Sequence, residues 1–404
     1  MTTLQRWTEI HRLAVLGQET AIARHVGDEV CEILLSRCAF AAAEAVATAT
    51  LTLGANGGTL NHRGRARAST GRPRGALDDY REALRLVRRA GDRVGEARAL
   101  NNMGAAFSVL GELRQALDHY GPALRIWRDL GERASESTIL GNIGVAYQHL
   151  GDRKQALHHY QQALDIQQRI KDSGGVAGTL TNIGILYSDL GHQQRALDYL
   201  GQALPLHKKV GNQVGEAATV NSMGLAHGRL GDQHQALACY QLALTVQREI
   251  GDRAAEATAL TNIGLAHSIL GRRQEALDFY RQSLLLQRDV GDRAGEATTL
   301  TNIGLVHEEM NRPREALDNY RQALPIREEV GDRAGEVVTR YNMAGSYLLL
   351  NDLDQAISEL ERVVALEKEI GDPDLAQDTA LLDSVREARG KAQRAAGSAP
   401  IVPG

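Results

Sequence analysis

One amide recurs through this chain at a fixed interval. Asn102, Asn142, Asn182, Asn262, Asn302 and Asn342 fall on one 40-residue phase, and Ser222 fills the single gap. A primary amide carries donors and an acceptor, so a row of them can hold an extended backbone, one peptide unit per rung. Asn is a poor residue for a helix interior, and six occurrences at seven equivalent places imply a task. Two tasks fit. The amides bind the main chain of a peptide, or they bond the neighbouring repeat and fix the stacking angle. Thr181, Thr261 and Thr301 add hydroxyls directly before the amides, and Arg229 and Glu309 add charge further along the same helices.

Other chemistry-bearing residues are less telling. His227, His267 and His307 replace the aromatic that Tyr147 supplies earlier. Adjacent helix pairs sit about 8–10 Å apart, too far to share a metal at about 2 Å, so these read as packing histidines. His158, His159, His234 and Cys239 lack partners at metal spacing. Residues 61–93 hold ten Arg against four acidic residues. That is a candidate docking patch for an acidic partner, although only Tyr80 could stack on a base. No GxSxG, HExxH, CxxC or GxGxxG motif occurs, so neither an enzyme nor a cofactor is expected.

The elements that position these residues come from a repeat of 40 residues without insertion from about 51 to 370. Ala76, Ala116, Ala156, Ala196, Ala236, Ala276, Ala316 and Ala356 mark it, as do Gly64, Gly104, Gly144, Gly184, Gly224, Gly264 and Gly304. Leu100, Met103, Phe107 and Leu110 line one face of a helix, and Ala116, Tyr120, Ala123 and Trp127 one face of a second. Gly111 separates them, and Gly-Asp or Gly-Glu pairs such as Gly91-Asp92 and Gly131-Glu132 stop one unit and cap the next. Each unit is thus an antiparallel helix pair that must stack to bury its apolar face. Pro205 and Pro325 fall inside second helices and are expected to kink or shorten them. On the first helix Arg98, Asn102, Ala105 and Val109 form a second stripe, separate from the core stripe.

The ends differ. Residues 1–50 read as two helices, about 4–16 and 28–50, forming a cap or an eroded repeat in which Phe40 precedes Tyr80 by one period. Repeat one carries Arg63 and Arg67 where Met103 and Phe107 stand later. Residues 371–390 read as a capping helix and 391–404 as a disordered tail.

Composition narrows the class. Of 404 residues 43% are hydrophobic and only 4% aromatic, with net charge −4. This excludes a disordered chain and argues against a globally basic nucleic-acid binder. No apolar run reaches membrane-spanning length. Met1–Leu16 carries Trp7 and Glu9 without an apolar stretch and does not read as a signal peptide. Three cysteines, Cys31, Cys38 and Cys239, fit a reducing cytoplasm.

The run Leu100-x-x-Met103-Gly104-x-x-Phe107, then Gly111, Ala116, Tyr120 and Ala123, resembles the tetratricopeptide repeat, whose usual unit is shorter at 34 residues. The version at residues 291–324 is similar to Pins-type adaptors, kinesin light chains and the C-terminal repeats of actinobacterial antibiotic regulatory proteins. The resemblance covers about 320 residues. It implies an all-α, right-handed superhelical solenoid whose first helices line a concave groove, with a protein or peptide as partner. A small molecule is left open. It places the amide row in that groove, where relatives contact ligand main chain. Chaperone-binding relatives clamp a terminal carboxylate with Lys and Arg; the stripe here lacks that cluster, which argues against such partners. The regulators bind nucleotide through GxxxxGK[ST], which is absent here. A regulatory module acting in trans is the alternative.

Overall fold

The computed structural model describes residues 3–397, with side chains through Arg394. All regular structure among the described residues is helical. Every twenty residues from Gly71 to Gly371 the loops put a residue at or next to a left-handed conformation, mostly Gly, with φ near 70–86° at its Gly positions. Lys171, Asn311 and Asn351 adopt it without being glycine. Only Gly takes this conformation without steric cost, so the glycine period sets the helix period. The next residue opens the following helix. Asp92, Asp252, Asp292 and Asp332 each accept the backbone N–H three residues on, satisfying a donor that the helix leaves orphaned. Glu132, one methylene longer, makes no such bond.

The helices divide into two compact units, Met1–Val210 and Gly211–Gly404. The first unit holds α1 (Thr3–Leu16), α2 (Thr20–Ser36), α3 (Phe40–Leu51), α4 (Gly57–Ser69), α5 (Pro73–Ala90), α6 (Arg93–Val109), α7 (Leu113–Leu130), α8 (Arg133–His149), α9 (Arg153–Arg169), α10 (Ser173–Asp189) and α11 (Gln193–Val210). The second holds α12 (Gln213–Arg229), α13 (Gln233–Ile250), α14 (Arg253–Ile269), α15 (Arg273–Val290), α16 (Arg293–Glu309), α17 (Pro313–Val330), α18 (Arg333–Leu349), α19 (Leu353–Ile370) and α20 (Leu375–Gly397). Within each unit consecutive helices pack as pairs, α4 on α5 through α10 on α11, and α12 on α13 through α18 on α19.

The pairs close on a glycine–tyrosine seam. A methyl group at Gly144 would sit 2.5 Å from the Tyr160 ring, and Gly64, Gly104, Gly224, Gly264 and Gly304 meet their tyrosines in the same way. Tyr160, Tyr280 and Tyr320 are fully buried there. Leu200 and Leu360 replace the tyrosine in two pairs; Gly184 is retained against Leu200, and Ala344 replaces the glycine against Leu360. Between repeats, Arg128 reaches Glu136 at 2.8 Å and Arg288 reaches Glu296 at 2.7 Å.

Residues 1–50 differ from the expectation. They form three helices, because Gln18 and Cys38 turn the chain in left-handed conformations that the sequence does not mark with glycine. Cys38 precedes the equivalent Gly71 by 33 residues, and α3 has 12 residues against 18 in α5. Phe40 is therefore the counterpart of Pro73, not of Tyr80. Arg63 and Arg67 do occupy core positions, and they are neutralised there. Arg63 contacts the buried Asp79 at 2.6 Å, and Arg67 bridges Asp79 and Glu44, both at 3.0 Å.

The prolines do not shorten their helices. α7, α11 and α17 contain Pro122, Pro205 and Pro325 and are each 18 residues long, as is α13. Pro205 and Pro325 are exposed, so a carbonyl freed by the missing N–H is left near solvent. At the C-terminus α20 runs through 391–397, which the tail reading made disordered; residues 398–404 lie outside the described residues.

Candidate functional site

The second stripe of the first helices faces outward. In the first unit Asn102, Asn142 and Asn182 are half-buried along α6, α8 and α10, and Val109 beyond them is 73% exposed. In the second unit Leu225, Leu265 and Leu305 recur on α12, α14 and α16, each 37–44% exposed. Beside them stand the half-buried Asn262 and Asn302, and Asn342 on α18. The stripe thus alternates amide and aliphatic groups open to solvent.

The amides fall into two sets. Asn102 donates to Asn61 at 2.9 Å and accepts from Asn101 at 3.3 Å. Asn142 donates to Asn101 at 3.2 Å, and Asn262 to Asn221 at 3.1 Å. These three rungs bond the preceding repeat, as the stacking alternative requires. Asn182, Asn302 and Asn342 have Gly141, Thr261 and Thr301 at the place those partners occupy, and they make no inter-repeat bond among the described residues. Ser222 donates its hydroxyl proton to the Ala218 carbonyl at 2.9 Å, which leaves it an acceptor only.

The hydroxyls expected beside the amides are a correction. Thr181 and Thr301 are buried, and Thr261 is half-buried. Each bonds the carbonyl four residues back on its own helix. One residue's turn about a helix takes them off the outward stripe and towards the second helices. They meet there a column of buried polar residues that the sequence reading missed. In the first unit Thr179 donates to Gln167 at 2.8 Å, and His207 lies 3.3 Å from the Thr181 hydroxyl. In the second unit Gln287 donates to Thr261 and Arg327 to Thr298, both at 3.4 Å. The signal was present: polar residues recur every 40 positions where helical spacing from Ala163 or Ala323 calls for an apolar one, as Trp127 supplies.

Arg229 and Glu309 are exposed at the ends of their helices. Glu309 pairs with Arg273 at 3.3 Å. Among the histidines, His267 stacks on Phe279 with centroids 5.3 Å apart. Burial lowers the pKa of both His267 and His307, as packing groups require. Among the described residues no group of His, Cys, Asp and Glu could hold a metal. The basic segment is largely spent: eight of its ten guanidinium groups pair with carboxylates, for example Arg65 with Glu32 at 2.9 Å. A cavity of about 380 Å³ opens beside Asn102, lined also by Asn61, Arg65, Arg98, Trp127 and Thr138. No described helix is long and apolar enough to cross a membrane.

Helix pairs at a 40-residue period with an outward polar–aliphatic stripe define a helical-repeat protein. The model of the tetratricopeptide repeat matches residues 57–129, 135–209, 216–289, 268–329 and 296–369, and the chain belongs to that family. No curated protein matches the sequence. Among solved structures, a Rap protein complexed with competence and sporulation factor aligns with a TM-score of 0.61 at 16% identity, over 93% of this chain and 98% of its own. The apo quorum sensor NprR from B. thuringiensis aligns at 0.59 and 16%, over 80% and 97%. A signal-transduction ATPase with a tetratricopeptide-repeat sensor, from Pyrococcus horikoshii, aligns at 0.59 and 14% over 78% of this chain. This chain spans half the length of that ATPase. At these identities the likeness is one of fold.

Proposed function

We propose that this chain is a non-catalytic binding scaffold that holds an extended peptide or protein segment along the outward stripe of its first helices. The observation that carries the reading is the pairing, on one stripe, of exposed Leu225, Leu265 and Leu305 with amides at Asn302 and Asn342 that no neighbouring repeat uses. Aliphatic groups left in water beside unspent donors and acceptors fit a partner that offers both side chains and main chain. The Rap protein that shares the fold is in complex with a factor, which adds support. A second reading, a regulatory module acting in trans, draws on the sensors among the similar folds. It differs in what the segment belongs to, not in how it is held. Nucleic acid is disfavoured as a partner because the basic segment is already paired.

The test is site-specific photo-crosslinking in native lysate. A photoreactive residue at Leu265 or Leu305 should capture a partner. The same residue at Leu285, 68% exposed on a second helix, should not. Equal capture from both faces, or none from the stripe, rejects the reading. A captured transcription factor or ATPase favours the regulatory module.

A further inference from the structure

The last repeat buries a carboxyl group that no Arg or Lys among the described residues meets. Glu367 on α19 is 1% exposed, and its Oε2 has no hydrogen-bond partner. It lines a cavity of about 360 Å³ with Val337, Val338 and Tyr341 of α18 and with Asp372 and Asp378. Asp374 also borders it. None of these four carboxylates pairs with Arg or Lys among the described residues. Burial first, then a side-chain hydrogen bond with Asp378 and the charges of Asp378, Asp372 and Asp374, push the Glu367 carboxyl up to about 7. Buried like charges at close range are costly unless a proton or a cation lies between them.

The preceding repeat shows what kind of cation fits. Forty residues before Glu367 stands Arg327, and forty before Asp372 stands Asp332. Arg327 is buried, pairs with Asp332 and donates to Thr298 at 3.4 Å. There the chain supplies its own guanidinium between first and second helix. At the last repeat the acceptor Asp372 is retained, the guanidinium is replaced by a carboxylate, and Val338 takes the place of Thr298. Asp372 and Glu367 are left facing a space. The carboxylates do not form a metal-ligand group. The apolar wall of Val337, Val338 and Tyr341 suits an aliphatic stem, and the Tyr341 ring suits a planar cation.

We propose that this cavity takes the side chain of an arginine from a bound protein segment, the guanidinium bridging Glu367 and Asp372 as Arg327 meets Asp332. A planar fork of donors matches two carboxylates better than a point charge does. The proposal rests on the scaffold reading only in taking the arginine from a bound segment.

The experiment is calorimetric titration of the full chain with acetyl-Gly-Arg-Gly-amide and with its citrulline counterpart, which keeps the shape and loses the charge. The arginine peptide should bind at least tenfold more tightly, and Glu367→Gln should weaken it at least tenfold. Glu367→Arg should abolish binding and raise the melting temperature, because the new side chain pairs with Asp372 and fills the cavity. Melting curves keep a folding defect in either variant from passing for a loss of binding. Equal binding of the two peptides, no binding of the arginine peptide at millimolar concentration, or full binding by folded Glu367→Gln overturns the proposal. If crosslinking from Leu265 and Leu305 persists in Glu367→Gln while the peptide test fails, the scaffold reading stands and this inference alone falls.

Discussion

The two units fill the same helix–helix contact with different residues. In the first, an aromatic on the first helix packs on a histidine or tyrosine of the second: Phe107 on His119, Tyr147 on His159, Tyr187 on Tyr199. In the second, His267 stacks on Phe279, while His227 and His307 have Cys239 and Asn319 as the counterparts of Phe279, and Tyr347 returns an aromatic to the first helix. The amides differ as well. The first unit links Asn61, Asn102, Asn101 and Asn142 into one chain of bonds. The second has a single such bond among the described residues, Asn262 to Asn221, and then Thr261 and Thr301 stand where Asn partners would be. The repeat thus varies more at its edge than in its seam. The second unit leaves more of its edge uncommitted, and it also carries the exposed leucines.

If the seam is the common element, breaking it should cost the same in either unit. Gly144→Ala and Gly304→Ala each push a methyl group against a tyrosine ring at 2.3–2.5 Å and should lose about 1–3 kcal/mol of stability. Denaturant melts of both variants check this. A loss in one unit only would mean that the seam is not what the two share.

A smaller effect depends on pH, and burial lowers the pKa of His11 and His159 of the first unit as it does that of two histidines of the second. Burial depresses the pKa of His267 and His307 in the folded chain, so folding favours their neutral forms. Their contribution is complete above the unfolded value of about 6.5 and is lost as pH falls through the folded values. The stability that these two rings contribute should fall between pH 7 and pH 5, against an opposing gain from Glu367, whose raised carboxyl takes up a proton in the folded chain over the same range. His267→Tyr with His307→Tyr, which restores the first unit's residue type, should reduce that fall. An unchanged pH profile would show that these rings do not titrate with folding.

Much of the fold was legible because its determinants are local and periodic. Ala at one place in each of the eight repeats and Gly at all but three of the turns from Gly71 to Gly371 fix helix ends and pairing without reference to distant residues. The N-terminal helices were misread because Gln18 and Cys38 do the work of glycine, and because α3 is shorter than its counterparts. The site was less legible. An outward stripe follows from helical spacing, but whether an amide on it is spent depends on the residue 41 positions back. Thr181 and Thr301 lie one residue from the stripe and turn inward. Glu367 looks like any surface glutamate until Val338 and Tyr341 are seen where Thr298 and Thr301 would have served it.

The central claim is that amides not used for stacking are used for binding. Two triple variants test it against the segment captured by crosslinking: Asn102, Asn142 and Asn262 to Ala, and Asn182, Asn302 and Asn342 to Ala. The first set loses inter-repeat bonds worth about 0.5–1.5 kcal/mol each, partly offset by the better helix propensity of Ala, and should lower the melting temperature. The second set should keep or raise the melting temperature and weaken binding at least tenfold, about 1.4 kcal/mol or more. Wild-type affinity in the folded second variant, or a fall in its melting temperature matching that of the first, would contradict the claim and make every rung a stacking residue.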